Sequence, residues 1–176
     1  MKKLLVIFVG LLIISSVFAQ DENSSSSGDS PLMWLGGEVT FGAMSDRDIT
    51  LGPSFGIMLN DNMGVGGTIL FSTGNNSNAW GIEPYFRYYI PIVDKFAFYG
   101  DAFVGFGGGD NDTQVDGGEH NWFDVGARVG LQFWFTPKWS LAASNNILLY
   151  NSRDGNGEFG AGVDFSAVNL SFFFHF

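Results

Sequence analysis

No cysteine occurs in the 176 residues, histidine appears twice, proline five times, and only 15% of the chain is charged. Without a thiol there is no disulfide framework, zinc–cysteine site, haem-attachment motif or lipid-modified cysteine. Positive charge is scarce too. Eight Lys and Arg stand against 18 Asp and Glu, a formal charge of −10, which argues against a nucleic-acid partner whose phosphates must be neutralised. A soluble globule keeps about a quarter of its residues charged, so this chain is poor in what holds a globule in water. What it has instead is 45% hydrophobic residues, 16% aromatic residues and 25 glycines.

Residues 1–19 (MKKLLVIFVGLLIISSVFA) carry two lysines, an apolar stretch and a Val17-Phe18-Ala19 ending. This is the pattern of a cleaved secretory signal peptide, and the apolar run is shorter than the roughly 20 residues a spanning helix needs. Cleavage would leave 157 residues with a formal charge of −12. Residues 20–32 include the serine-rich tract Asp21 to Ser30 and have the composition of a flexible linker. No later stretch reaches the roughly 18 consecutive apolar residues of a transmembrane helix, so any membrane crossing falls to strands.

From residue 33 to 176 the chain alternates apolar with polar or small residues, and Asn, Asp, Gly, Ser and Pro clusters interrupt it. This is the period of strands. Between Phe123 and Phe135 the odd positions are apolar, whereas Asp124, Gly126, Arg128, Gly130 and Gln132 share the other face, broken only by Trp134. The same reading predicts strands near 33–43, 49–59, 63–73, 79–90, 96–107, 121–135, 140–150 and 159–176. Short links follow the second, fourth and sixth, and mostly longer polar loops follow the others. An even number of strands with turns at one end and loops at the other predicts an all-β, eight-stranded antiparallel transmembrane barrel, an up-and-down meander.

The apolar face then meets lipid, and the face of small and ionisable residues points inward, where an eight-stranded barrel has room only for packed side chains. The expected lumen network is Glu38, Glu83, Asp101, Asp124 and Asp164 with Arg87 and Arg128. Pro53 and Pro84 fall inside strands and predict bulges or positions above the bilayer. In the last strand the apolar phase changes from odd to even positions, which predicts a bulge near Ser166-Ala167 with the upstream part projecting beyond the membrane. The alternating Phe172, Phe174 and Phe176 look like the signal by which the outer-membrane barrel assembly machinery recognises its clients.

The stretch Gly52 to Gly66, followed by Glu83-Pro84-Tyr85-Phe86-Arg87-Tyr88-Tyr89-Ile90, resembles the outer-membrane β-barrel domain common in Bacteroidetes-type bacteria. In plan that domain is similar to the small eight-stranded barrels of outer-membrane proteins A and X. The resemblance implies residence in the outer membrane of a Gram-negative bacterium, among lipid and lipopolysaccharide. It says little about activity, because one fold carries many roles.

Chemistry is sparse. Asp110, Asp112, Asp116 and Glu119 in the third long loop offer oxygen ligands, a weak calcium candidate whose spacing departs from the EF-hand pattern. Enzymatic barrels resembling lipid A acylases and deacylases place a His with a Ser or acid at the outer rim. Here only His120, within possible reach of Ser152, Asp154 or Glu158, could serve, and no nucleophile signature surrounds it. The expectation is a non-enzymatic barrel without cofactor, with a structural or surface-interaction role. A cation-preferring, porin-like channel and a secreted lipocalin-like binder are the alternatives.

Overall fold

A computed structural model describes residues 33–41, 49–73, 77–111, 119–153, 155–163 and 168–176, nearly all of them in strands or the tight turns between them. The strands are β1 (Met33–Phe41), β2 (Ile49–Met58), β3 (Met63–Thr73), β4 (Ser77–Val93), β5 (Phe96–Asn111), β6 (Glu119–Thr136), β7 (Trp139–Arg153), β8 (Asn156–Ala161) and β9 (Asn169–His175). From β1 to β8 each strand pairs antiparallel with the next, and β9 closes the sheet between β7 and β1. β8 and β9 share the eighth position, so the wall is a closed eight-stranded barrel.

The register fixes its dimensions. Paired residues lead from Phe98 through Leu131, Ala143, Leu170, Val39, Leu51, Phe71 and Trp80 back to β5 at Gly108, ten residues further along the strand. Eight strands with that shear tilt by roughly 40° and enclose a backbone cylinder of about 8 Å radius. Side chains from opposite walls therefore meet at the axis.

Alternation sorts the residues. Outward positions carry exposed Phe, Trp, Tyr, Ile, Leu and Val over the whole wall. At the turn end Phe96, Phe135, Trp139, Phe174 and Phe176 ring the barrel, with Trp139 packed on both Phe172 and Phe174. At the loop end stand Phe71, Trp80, Phe106, Phe123, Tyr150 and Phe159. Tilt and rise put the two rings about 25 Å apart, the height of an outer-membrane apolar band.

The glycines have a specific employment inside. A Cβ on Gly56 or Gly64 would strike the indole of Trp34, one on Gly66 or Gly130 the rings of Tyr85 or Tyr99, and one on Gly126 or Gly36 the rings of Phe103 or Phe173. Each lumen ring lies directly on the backbone of a neighbouring strand, so a narrow cylinder holds bulky aromatics because the opposing positions have no side chain. The turns use a shared device. Asn60 Oδ1 accepts from the amides of Asn62 and Met63, both at 2.9 Å, and Thr136 Oγ1 from those of Lys138 and Trp139 at 3.3 and 3.1 Å.

Three expectations are corrected. Pro53 pairs with Gly37 and Pro84 with Gly67 in unbroken register, so neither proline makes a bulge. Opposite the other neighbour each proline costs only ladder rungs, between Leu51 and Ser54 on the β3 side and between Ile82 and Tyr85 on the β5 side. Trp134 does not break its strand's pattern: its ring lies 6.1 Å from that of Tyr89 and 6.0 Å from that of His175, inside the lumen. The last strand is not one strand. β7 meets β8 as far as Leu148↔Ala161 and β9 from Ser144↔Asn169, so seven residues stand opposite three. The predicted bulge at 166–167 lies outside the described residues. The upstream piece continues the apolar wall, because Val125, Tyr150 and Phe159 are successive partners across β6, β7 and β8.

Candidate functional site

Inward positions bring most of the predicted ionisable residues together at mid-height. Arg87 on β4 forks onto Asp101 on β5, with Nε donating to Oδ1 at 2.7 Å and the Nη2 donating to Oδ2 at 2.9 Å. The bidentate fit is available because the two residues are direct ladder partners on the lumen face. Arg128 on β6 is the other partner of Asp101 in the ladder, its Nε 3.5 Å from Oδ2. Its Nη2 donates to Glu83, and its Nη1 reaches Glu38 at 3.5 Å. Three carboxylates thus share two guanidiniums, and every member is buried.

The cations also have rings around them. The Arg87 guanidinium carbon lies 3.9 Å from the ring centroid of Tyr99, 5.0 Å from Tyr85, 5.6 Å from Phe173 and 5.8 Å from Tyr89. Among the described residues its Nη1 meets no hydrogen-bond acceptor, and it is buried within this cage. Arg128 lies 4.8 Å over Phe103. A guanidinium is weakly hydrated and flat, which makes it the cation suited to such a cage.

Beneath the network, toward the turns, a neutral chain crosses the lumen. Tyr89 Oη donates to Gln132 Oε1 at 3.2 Å, Gln132 Nε2 donates to Ser140 Oγ at 2.8 Å, and Ser140 Oγ is 2.8 Å from His175 Nε2. Trp34 Nε1 donates to Tyr85 Oη at 3.2 Å, and that oxygen is 2.9 Å from Ser54 Oγ. Gln132 and Ser140 are completely buried, at 0% exposure.

Of the seven residues read as a lumen network, Glu38, Glu83, Arg87, Asp101 and Arg128 come together. Asp124 stands apart, half-buried nearer the loops, and accepts from Asn151 Nδ2. Asp164 lies outside the described residues, as do Asp112, Asp116 and the side chains of Asp110, Glu119 and His120 from the third loop. Phe172, Phe174 and Phe176 face outward on and beside β9, with Phe135 stacked on Phe172 at 5.8 Å and Phe174 on Phe176 at 5.8 Å. The cage and the neutral chain went unread in the sequence, although Tyr85 and Tyr89 stand in phase with Glu83 and Arg87, and Gln132 in phase with Arg128. Which rings meet which cation depends on the shear, which no single strand reveals.

Known proteins bear on the fold. The sequence profile of the outer membrane protein beta-barrel domain family matches residues 8–176. Among solved structures, the N-terminal β-barrel domain of Pseudomonas aeruginosa OprF superposes with a TM-score of 0.65 at 15% identity, over 85% of this chain and 100% of that one. Neisserial surface protein A (NspA) superposes with a TM-score of 0.59 at 11% identity, over 86% of this chain and 100% of that one. No curated protein matches the sequence.

Proposed function

The chain belongs to the outer membrane β-barrel domain family of Gram-negative outer membranes, and from that premise we propose a non-conducting, non-enzymatic barrel that serves a structural or surface-interaction role. The observation that carries this reading is the occlusion of the lumen at mid-height. Gln132 is 0% exposed, Asp101 3%, and Arg87 and Arg128 4% each, so this layer offers almost no surface to water. A porin-like lumen needs a continuous aqueous column, which eight strands of this radius do not leave once rings and guanidiniums fill them.

The non-enzymatic part rests on access. Ser140 and His175 form the pairing a nucleophile would use, but both are buried within the wall-to-wall chain and no substrate carbonyl can reach the hydroxyl. In this reading the tight turns after β2, β4 and β6 face the periplasm and the acidic loops face outward. Lipid and lipopolysaccharide surround the aromatic rings, and the assembly machinery engages the C-terminal strand through Phe172, Phe174 and Phe176.

The test is single-channel recording of the refolded full chain in planar bilayers. Absence of stable steps is expected, and reproducible cation-preferring conductance would return the channel reading. Outer-membrane fractionation with heat-modifiable gel mobility tests the location of the folded protein, and a chain that stayed soluble without detergent would favour the secreted binder.

A further inference from the structure

One place in the wall departs from regular pairing. The ladder of β7 to β8 ends at Leu148↔Ala161, and the ladder of β7 to β9 begins at Ser144↔Asn169. Gly162 N donates to Ile147 O at 3.0 Å and holds the end of β8 at this junction. On the other edge of β7, Arg128 pairs with Asn146 and Ala127 with Leu148, so Ile147 is an extra residue and the strand bulges. The bulge separates two positions that a regular strand puts on one face. Asn146 shares the lumen side with Arg128, whereas Leu148 is 44% exposed on the outer side.

A cavity of about 440 Å³ lies at this junction, lined by Leu148, Ala161 and Val163 together with the amides of Asn145, Asn146 and Asn169. It opens outward, because Leu148, Ala161 and Val163 are exposed on the outer surface. On β7 it falls between Trp139 of the turn-end ring and Tyr150 of the loop-end ring, inside the apolar band, so its mouth meets hydrocarbon. At roughly 30 Å³ for each water displaced, it has space for about 15 waters, or for one hydrocarbon tail of comparable bulk.

The lining is not wholly apolar, and that selects the occupant. Asn145 pairs with the outward Val129, which puts an amide on the lipid side of the wall. Asn146 Oδ1 is buried and meets no donor among the described residues. Within hydrocarbon such an acceptor has no water to turn to, so the matching occupant brings a donor of its own. An anionic head is a poor match, because Arg128, the ladder partner of Asn146, already serves three carboxylates.

We propose that the junction of β7, β8 and β9 is a lateral binding site for the hydroxyl-bearing hydrocarbon tail of a membrane lipid. The tail lies along Leu148, Ala161 and Val163, and Asn146 turns its amide oxygen to accept from the hydroxyl. The site goes beyond the structural role proposed above and is independent of conduction, because it is entered from the bilayer and needs no path along the lumen.

Photo-cross-linking of the refolded full chain in phosphatidylcholine vesicles tests it, with hexadecanol carrying a diazirine near its hydroxyl as the probe. Peptide mapping is expected to find the label concentrated around Ile147 and Gly162. Excess unlabelled hexadecanol is expected to suppress that labelling about tenfold more effectively than its methyl ether, which keeps the tail and loses the donor. Asn146→Leu is expected to bring the two competitors level, and Ala161→Trp, which fills the mouth, to abolish the labelling. Heat-modifiable mobility identifies any variant that has not folded, and the competition on the unaltered protein needs no variant at all. Label spread evenly round the wall, equal competition by alcohol and ether, or unchanged labelling of folded Ala161→Trp would overturn the proposal.

Discussion

The two arginines and three carboxylates at mid-height are not equivalent, and the difference can be measured. Arg87→Gln removes a fork with two bonds of 2.7 and 2.9 Å and leaves Asp101 with only the 3.5 Å approach of Arg128 Nε. It also empties a cage of four rings. The charge balance of the cluster goes from three acids against two bases to three against one. Breaking a buried pair by removing one partner costs about 3–5 kcal/mol, because the remaining charge is uncompensated. Glu38→Gln works in the opposite sense. Its one ion pair among the described residues is with Arg128 at 3.5 Å, worth about 5 kcal/mol by Coulomb's law at an effective dielectric of about 20 before desolvation. Against that stand its own desolvation and its repulsion from Glu83 and Asp101, which share the same guanidinium. The amide can still accept from Arg128, and the expected net change is within about 1 kcal/mol of zero. Urea titration in phospholipid vesicles, read by heat-modifiable mobility with unfolding and refolding branches superimposed, measures both. With a slope near 2 kcal/mol per molar urea, Arg87→Gln lowers the midpoint by about 1.5–2.5 M and Glu38→Gln by less than about 0.5 M. Equal losses for the two variants would refute the assignment of Glu38 as the surplus carboxylate.

Other substitutions probe the remaining layers. Gly56→Ala drives a methyl into the Trp34 indole and is expected to cost about 1–3 kcal/mol, whereas Gly37→Ala, outward-facing with only Gly52 O at 3.5 Å, changes the urea midpoint by little. Gln132→Leu strips partners from the Tyr89 hydroxyl and the Ser140–His175 pair at a wholly buried position, for an expected loss of about 2–4 kcal/mol in the same titration. Phe176→Ala removes one ring of an outward stack and should cost about 1 kcal/mol or less in vesicles, yet strongly reduce the folded protein recovered from outer membranes of cells. Loss in vesicles equal to the loss in cells would move that residue's role from assembly to stability.

Much of the barrel was legible because alternation is a property of a single strand. Trp80 to Ile90 shows both faces at once, and the observed strand extends that span to Ser77–Val93, with a register shift only at its turn end between Pro91 and Val93. The prolines misled because a missing donor was expected to distort the ladder. At both sites the residue across the kept register is an outward glycine, Gly37 or Gly67, and only rungs on the far side are missing. Trp134 misled for another reason. Hydropathy assigns an indole to lipid, yet this one packs beside Tyr89 and His175 within the neutral chain that seals the turn end.

The partners inside the lumen follow from closure. Arg87 meets Asp101 as a ladder neighbour, but it meets Phe173 only because β9 has come round to the far wall, and a different shear would face it with another residue of that strand. The same holds for His175, which reaches Ser140 on β7 and through Gln132 on β6 the hydroxyl of Tyr89 on β4. β9 is held to β1 and β7 by short ladders of seven and six residue pairs. Its inward side chains Ser171, Phe173 and His175 are all buried among residues of other strands. Closing the barrel therefore creates the cage around Arg87 and the chain to Tyr89 in the same step that pairs the last strand. The ladders alone could tolerate a two-residue slip without changing which face is wet. The slip is excluded by the lumen, where Phe173 must find Gly36 and His175 must find Ser140.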